Sequence, residues 1–286
     1  MITGFAVDLG GTKMAAARIE DGCITQREQV PTDRRAGLEG QIAQMGRLLE
    51  SLGYQSGQRL GVAVAGRVDA DGCWRAVNAD TLSAIGGAPL LQQLRETFGQ
   101  SVTAMNDAAA ASLAEAALGA GQGSAHFAYL TVSTGVGGGI VLDGKLLQSR
   151  NGLAGHLGFM SSPFGREICG SGRRGTVESV ASGRAIALVA GTPDARSAFE
   201  LRTENGHAAI DRSIAAVARL CGDLTAIFGL DRIALGGSVG LAEGYLSGVT
   251  ARIQQEPELF RVPVVRAMLG HDSALLGALL AKGELP

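Results

Sequence analysis

The sequence predicts an α/β protein built as two lobes. Three observations carry this. Short apolar runs alternate along the chain with longer segments of helical periodicity. One strand–turn–strand unit occurs twice, with Thr12 answering Thr134 and Asp21-Gly22 answering Asp143-Gly144 at a constant separation of 122 residues. A glycine-rich turn follows an apolar strand three times.

Residues 2–9 form an apolar run bounded by glycine, which reads as a buried strand. "GGTK" breaks it and "MAAARI" resumes it. Asp21-Gly22 then marks a hairpin turn, because both residues accept the positive φ that such a turn needs. Residues 41–53 place Ile42, Met45, Leu48, Leu49 and Leu52 on one helical face. "RLGVAVAG" is a further buried strand, and "SVTAMND" another that stops at Asn106-Asp107. The alanine-rich segment 108–121 is a helix ended by glycine. Residues 127–147 repeat the first hairpin. A long helix over 207–228 turns Ile210, Ile214, Val217, Cys221, Leu224 and Phe228 inward, and "DRIALGGSVG" follows as strand and glycine turn. The tail 271–284 is a closing helix with Asp272 or Ser273 placed to cap it. The pattern predicts a small N-terminal lobe over 1–118, completed by 271–286, and a larger lobe over 119–270.

Composition narrows the function classes. With 46% hydrophobic and 18% charged residues in 286, the balance is that of an ordinary globular protein. A net charge of −2 offers no basic field for nucleic acid or an anionic membrane surface. Four scattered cysteines without a CxxC point to a reducing compartment rather than a disulfide framework. There is no basic segment followed by an apolar one at the N-terminus and no apolar stretch of membrane-spanning length, so a cytoplasmic protein is expected.

The turns are Gly10-Gly11-Thr12-Lys13, Ser133-Thr134-Gly135-Val136-Gly137 and Gly236-Gly237-Ser238-Val239-Gly240. Successive N–H groups in such turns make a concave anion site, and a threonine hydroxyl adds a donor. Each alone reads as an ordinary turn; three in one chain, two of them duplicated, argue for phosphate. No G-x-x-x-x-G-K-[ST] occurs, and "GVGGG" runs into a strand rather than the helix a dinucleotide site requires. Duplicated hairpins that pinch phosphates are the device of the actin-like ATPase (ribonuclease H-like) fold, in which two lobes flank a nucleotide and sugar cleft.

"DLGGTK" at 8–13, "STGVGGG" at 133–139, "LAGHLG" at 153–158 and "GGSVG" at 236–240 resemble the ROK family of bacterial sugar kinases and sugar-responsive repressors. The likeness spans nearly the whole chain and is nearest to those members that act on N-acetylmannosamine. It implies ATP-dependent phosphorylation of the 6-hydroxyl of that sugar, in sialic acid breakdown, with Mg²⁺ as cofactor and a homodimer as the assembly. A kinase for glucose or another hexose is the alternative, and a sugar sensor without catalysis a third. The family's repressors carry an N-terminal winged helix, for which a strand beginning at residue 2 leaves no room.

Phosphoryl transfer to a sugar needs a carboxylate base and charge stabilisation at the phosphate. Asp107 stands after a strand and at the start of a helix, where it reads either as a helix cap or as a base projecting into a cleft. The helix N-terminus is expected to keep it ionised. The resemblance makes it the base and pairs it with Asn106 on the acceptor hydroxyls. Asp8 ends the first strand and is expected to hold Mg²⁺ through water. Gly10, Gly11, Thr12, Lys13, Thr134, Gly135 and Gly137 are the expected phosphate contacts, with Lys13 also readable as a solvated charge, and Gly237 would lie beside the adenosine. Gly66, Asn78, Asn106, Asp107, His156 and Glu178 are the sugar contacts the resemblance implies; His156 stands where kinases of the glucose type carry Glu. Zinc-bearing members show a histidine followed by "CxCGxxGC". Those positions are here Phe159, Cys169, Ser171 and Thr176, so no structural zinc is expected. Phe159, Met160, Phe164 and Ile168 would hold that loop by packing instead. Arg173 and Arg174 read as exposed loop charges.

Overall fold

The computed structural model describes residues 2–78 and 81–281; the end of the expected closing helix, 282–284, lies outside them. By its internal contacts the chain divides into two compact units. One is Met1–Ala114 with Gln148–Ala154 and His271–Pro286, the other Glu115–Leu147 with Gly155–Gly270. Among the described residues no helix is long and apolar enough to cross a membrane.

In the first unit β1 (Gly4–Leu9) pairs antiparallel with β2 (Lys13–Glu20), which pairs antiparallel with β3 (Cys23–Pro31). On its other side β1 runs parallel to β4 (Leu60–Val64), which is parallel to β8 (Val102–Asn106); β5 (Arg67–Val68), β6 (Trp74–Arg75) and β7 (Gly86–Ala88) form a small separate sheet. The alternation of β1 sorts its side chains. Phe5, Val7 and Leu9 share a core with Ile42, Met45 and Leu49 of α1 (Leu38–Ser51) and Leu90 and Leu94 of α2 (Leu90–Phe98). Ala6 and Asp8 lie on the opposite face with the small residues Ala15, Ala17, Gly61 and Ala63. That face takes the closing helix, Ser273–Leu280: Gly4 and Gly61 abut Leu279 and Ala278, and Thr103 Oγ1 donates to the Ala278 carbonyl at 3.1 Å. Gly277 of the same helix rests on the backbone of Ala110 in α3 (Asp107–Leu118). The expected cap of the closing helix is not formed by Asp272, whose carboxylate instead takes the Arg27 guanidinium at 2.7 Å.

The second unit repeats the first sheet. β9 (His126–Val132) pairs antiparallel with β10 (Val136–Leu142), and β10 with β11 (Lys145–Leu146). β9 runs parallel to β12 (Arg232–Gly236), and β12 to β13 (Val264–Arg266). The two five-stranded sheets therefore share one order and one set of directions. Their hairpin turns share a conformation too, with Asp21 at φ 50° and Asp143 at φ 49°, each followed by a positive-φ glycine. The remaining helices are α4 (Glu178–Ala181), α5 (Gly183–Ala190), α6 (Ala195–Leu201), α7 (Glu204–Phe228) and α8 (Tyr245–Ile253). The helix expected over 207–228 starts earlier, because the Thr203 hydroxyl accepts the Gly206 N–H at 3.1 Å and caps it. Ile214, Val217, Cys221 and Leu224 are buried in the core that also holds the β9 and β12 side chains, with Ile210 and Phe228 packed at its margin.

Candidate active site

Asn106 ends β8 and Asp107 begins α3, so the strand-to-helix switch puts two adjacent side chains at one point. The cap role belongs to Asn106, whose Oδ1 accepts the Ala109 N–H at 3.0 Å. Its Nδ2 donates to the Gly66 carbonyl at 2.8 Å and to Asp107 Oδ1 at 2.9 Å, and Ala108 N–H adds a second bond to that carboxylate oxygen at 2.8 Å. Oδ1 is thus fixed, and Oδ2 is the oxygen available for a proton. The bonding depends on Gly66 being glycine: its φ is 111°, and a Cβ there would stand 2.5 Å from the Arg75 carbonyl.

Burial pushes the Asp107 carboxyl up to about 6 against the Ala108 N–H of the helix's first turn and the Asn106 amide, so the group stays mostly ionised at neutral pH but titrates much nearer to it than a surface carboxyl at a helix terminus would. Asp8 lies on the β1 face that the closing helix covers. Burial first, then the negative charge of Asp107, raises it to about 7, against the pull of Lys13 and Arg27. A desolvated carboxylate facing a second one is a place where a divalent cation relieves repulsion. Among the described residues no three His, Cys, Asp or Glu side chains converge as a metal cluster. Mg²⁺ commonly uses one or two carboxylates together with water and phosphate oxygens, so Asp8 fits it.

The first glycine turn is closed by Gly10 N–H to the Lys13 carbonyl at 3.0 Å. Thr32 Oγ1 and Arg34 Nε hold the carbonyls of Gly10 and Gly11 at 2.8 and 2.7 Å, while Thr12 is exposed. Neither Thr32 nor Arg34 carries a sequence signal for this task. Asn78 sits in a loop whose carbonyl takes the Thr81 N–H at 2.9 Å.

In the second unit Ser133 N–H donates to the Gly135 carbonyl at 2.9 Å, leaving Thr134 exposed at the tip. The first N–H groups of α5 support this turn from below, Gly183 to Ser133 O at 2.7 Å and Arg184 to Thr134 O at 3.4 Å. Ser182 caps that helix through Ala185 N–H at 3.2 Å, a role its place before "GRAIALVA" could have announced. Gly137 lies in β10 beyond the turn. Gly237 has φ 85°, and a Cβ there would run into the Val132 carbonyl and Thr131 Oγ1, so no side chain fits. The turn it belongs to is tied to β9 by Val239 and Gly240 N–H groups on Val132 O at 2.9 and 3.0 Å.

His156 stacks on Phe159 with ring centroids 5.6 Å apart and planes 23° from parallel. Glu178 opens α4. Its Oε2 accepts the Val136 N–H at 3.1 Å, and burial raises its carboxyl above the ordinary range against the N–H groups of Val136 and Gly170 and the charge of Arg184. In the loop before it, Cys169 Sγ and Ser171 Oγ are hydrogen-bonded at 3.0 Å. Thr176 is fully buried and exchanges bonds with Ser179, each backbone N–H donating to the other's hydroxyl at 3.1 Å. Met160 packs on the core, but Phe164 and Ile168 are exposed, at 37% and 57%. The loop is held instead by pairing of Ser161 with Thr176 and Ile168 with Arg174. Arg173 and Arg174 are exposed and serve loop oxygens, on Ser161 Oγ and the Arg166 carbonyl.

The sequence profile of the ROK family matches residues 4–284. The chain belongs to the ROK family. It is 40% identical over 284 residues to the N-acetylmannosamine kinase of Vibrio cholerae, across 96% of each chain. In structure it is similar to the ROK hexokinase of Thermus thermophilus, with a TM-score of 0.79 and 32% identity over 96% of each chain. It is also similar to a ROK glucokinase of Streptomyces griseus solved with glucose and AMPPNP, with a TM-score of 0.81, 26% identity and 97% and 98% of the two chains covered. With the repeated sheet, these place it in the actin-like ATPase fold.

Proposed function

We propose that this protein transfers the γ-phosphoryl group of ATP to the 6-hydroxyl of N-acetylmannosamine, giving the 6-phosphate and ADP. The name borne by relatives 40% identical over 96% of the chain supports the acceptor. The observation that carries the chemistry is Asp107, with Oδ1 pinned by Asn106 and Ala108 and Oδ2 left for a proton. A group buried enough to sit at about 6 is mostly ionised at neutral pH yet basic enough to take the hydroxyl proton as the oxygen attacks phosphorus. The bond from the γ-phosphorus to the bridging oxygen breaks, and ADP carries the electron pair away.

Thr12 and Thr134, each exposed at the tip of a glycine turn, are the phosphate contacts, with Gly10, Gly11, Lys13, Gly135 and Gly137 around them and Gly237 beside the adenosine. Asp8 is the residue that would hold Mg²⁺, which when bound would supply charge neutralisation at the phosphates. Gly66, Asn78, Asn106, His156 and Glu178 serve the sugar, Gly66 by holding Asn106. The protein works in the cytoplasm as a homodimer, and exposed Leu188 and Leu201 supply apolar surface for such an assembly. A coupled assay of ADP release across N-acetylmannosamine, N-acetylglucosamine, mannose and glucose tests the reading. N-acetylmannosamine should give the highest kcat/KM, and a preference for glucose or mannose would overturn it.

A further inference from the structure

Glu178 touches more than a sugar ligand needs to touch. Its Oε2 takes the Val136 N–H at 3.1 Å, at the foot of the Ser133–Val136 turn. The carboxylate also faces the Gly170 N–H, in the loop where other ROK members bind zinc and this chain has Cys169, Ser171 and Thr176. The contact with the turn is close: a Cβ on Gly135 would stand 2.8 Å from Glu178 Oε2. Gly135 does not have a positive φ, so close approach rather than backbone conformation is what its lack of a side chain serves. Beneath the same turn lies the start of α5, joined to α4 through Ser182, whose N–H reaches the Glu178 carbonyl at 3.2 Å. One residue therefore touches the glycine turn with its side chain and the helix supporting that turn with its backbone.

We propose that Glu178 is a positioning residue for the nucleotide turn, fixing the Ser133–Val136 backbone for phosphate and linking it to the 161–175 loop. This rests on the kinase reading above. It means that nucleotide affinity depends on Glu178 even when no sugar is present, and that a sugar hydroxyl arriving at this carboxylate acts on the phosphate turn directly.

The test is ADP binding to sugar-free protein, by calorimetry, for wild type, Glu178→Ala, Glu178→Gln and Gly135→Ala. Losing a hydrogen bond of this kind is worth roughly fivefold in affinity, so Glu178→Ala should weaken ADP about fivefold or more. Glu178→Gln, which keeps an acceptor for Val136, should recover part of that. Gly135→Ala pushes the carboxylate aside without altering it and should raise the KM for the sugar, although Gly135 lies in the nucleotide turn; this arm also stands if Glu178→Ala does not fold. Unchanged ADP affinity in Glu178→Ala with a raised sugar KM would make Glu178 a sugar ligand alone and overturn the proposal. A wild-type protein that binds no ADP at all would overturn the kinase reading itself, and this inference with it.

Discussion

Asn106 donates its amide to Asp107 Oδ1 at 2.9 Å while its own oxygen caps the helix that Asp107 begins. A single residue thus orients the proposed base and secures the element that carries it. Asn106→Ala should lose both functions. Removing such a cap costs about 0.5–2 kcal/mol, and kcat should fall while ADP affinity stays near wild type. Denaturant melts and steady-state kinetics on the same preparation separate the two losses.

The pH dependence follows from Asp107. As the base it must be ionised, so kcat/KM should rise with pH through about 6 and level off above 7. A profile flat down to pH 5 would contradict the assignment.

Asp8 gives a stability prediction of opposite sense. Its folded pKa of about 7 lies above the unfolded value of 3.8, so the folded state binds the proton more tightly. Stability from this group is fully present below 3.8 and is lost as pH rises through about 7. Asp8→Asn should therefore stabilise the metal-free protein at pH 8 by several kcal/mol, about 4 at the outside, with little effect at pH 4, and should abolish activity. Melting curves at the two pH values decide it.

The loop that carries zinc elsewhere in the family should carry none here. Ser171 is bonded to Cys169, and Thr176 is buried in its exchange with Ser179. Chelator should leave the melting temperature unchanged, whereas Thr176→Ala should cost about 1 kcal/mol. Stoichiometric zinc by elemental analysis would refute this.

The parts of the molecule legible in the sequence are those fixed by local chemistry. Asp21-Gly22 and Asp143-Gly144 announce their turns because few residues accept that backbone, and the repeated sheet follows from them. Short apolar runs such as Leu60–Val64, five residues with two valines, read as buried strands by their length and β-branched content. What escaped notice depends on distant partners. β3 is a mostly polar edge strand, CITQREQVP, with no alternation to reveal it. Arg34 meets Gly11 through the fold alone, and Asp272 leaves its expected cap for Arg27. Phe164 and Ile168 are apolar yet exposed, because backbone pairing shapes their loop. The identities of Asn106 and Asp107 were readable; which oxygen is pinned, and how far burial lifts the carboxyl, were not.

Product analysis tests the central claim most directly. Wild type and Asp107→Asn are incubated with ATP, Mg²⁺ and N-acetylmannosamine, and the sugar is examined by mass spectrometry and phosphorus NMR while binding of the sugar is measured separately. The account predicts N-acetylmannosamine 6-phosphate from wild type, and from the variant a rate lower by about 10²–10⁴-fold with the sugar still bound. Equal rates from the two proteins, or no phosphorylated sugar from wild type, would contradict it.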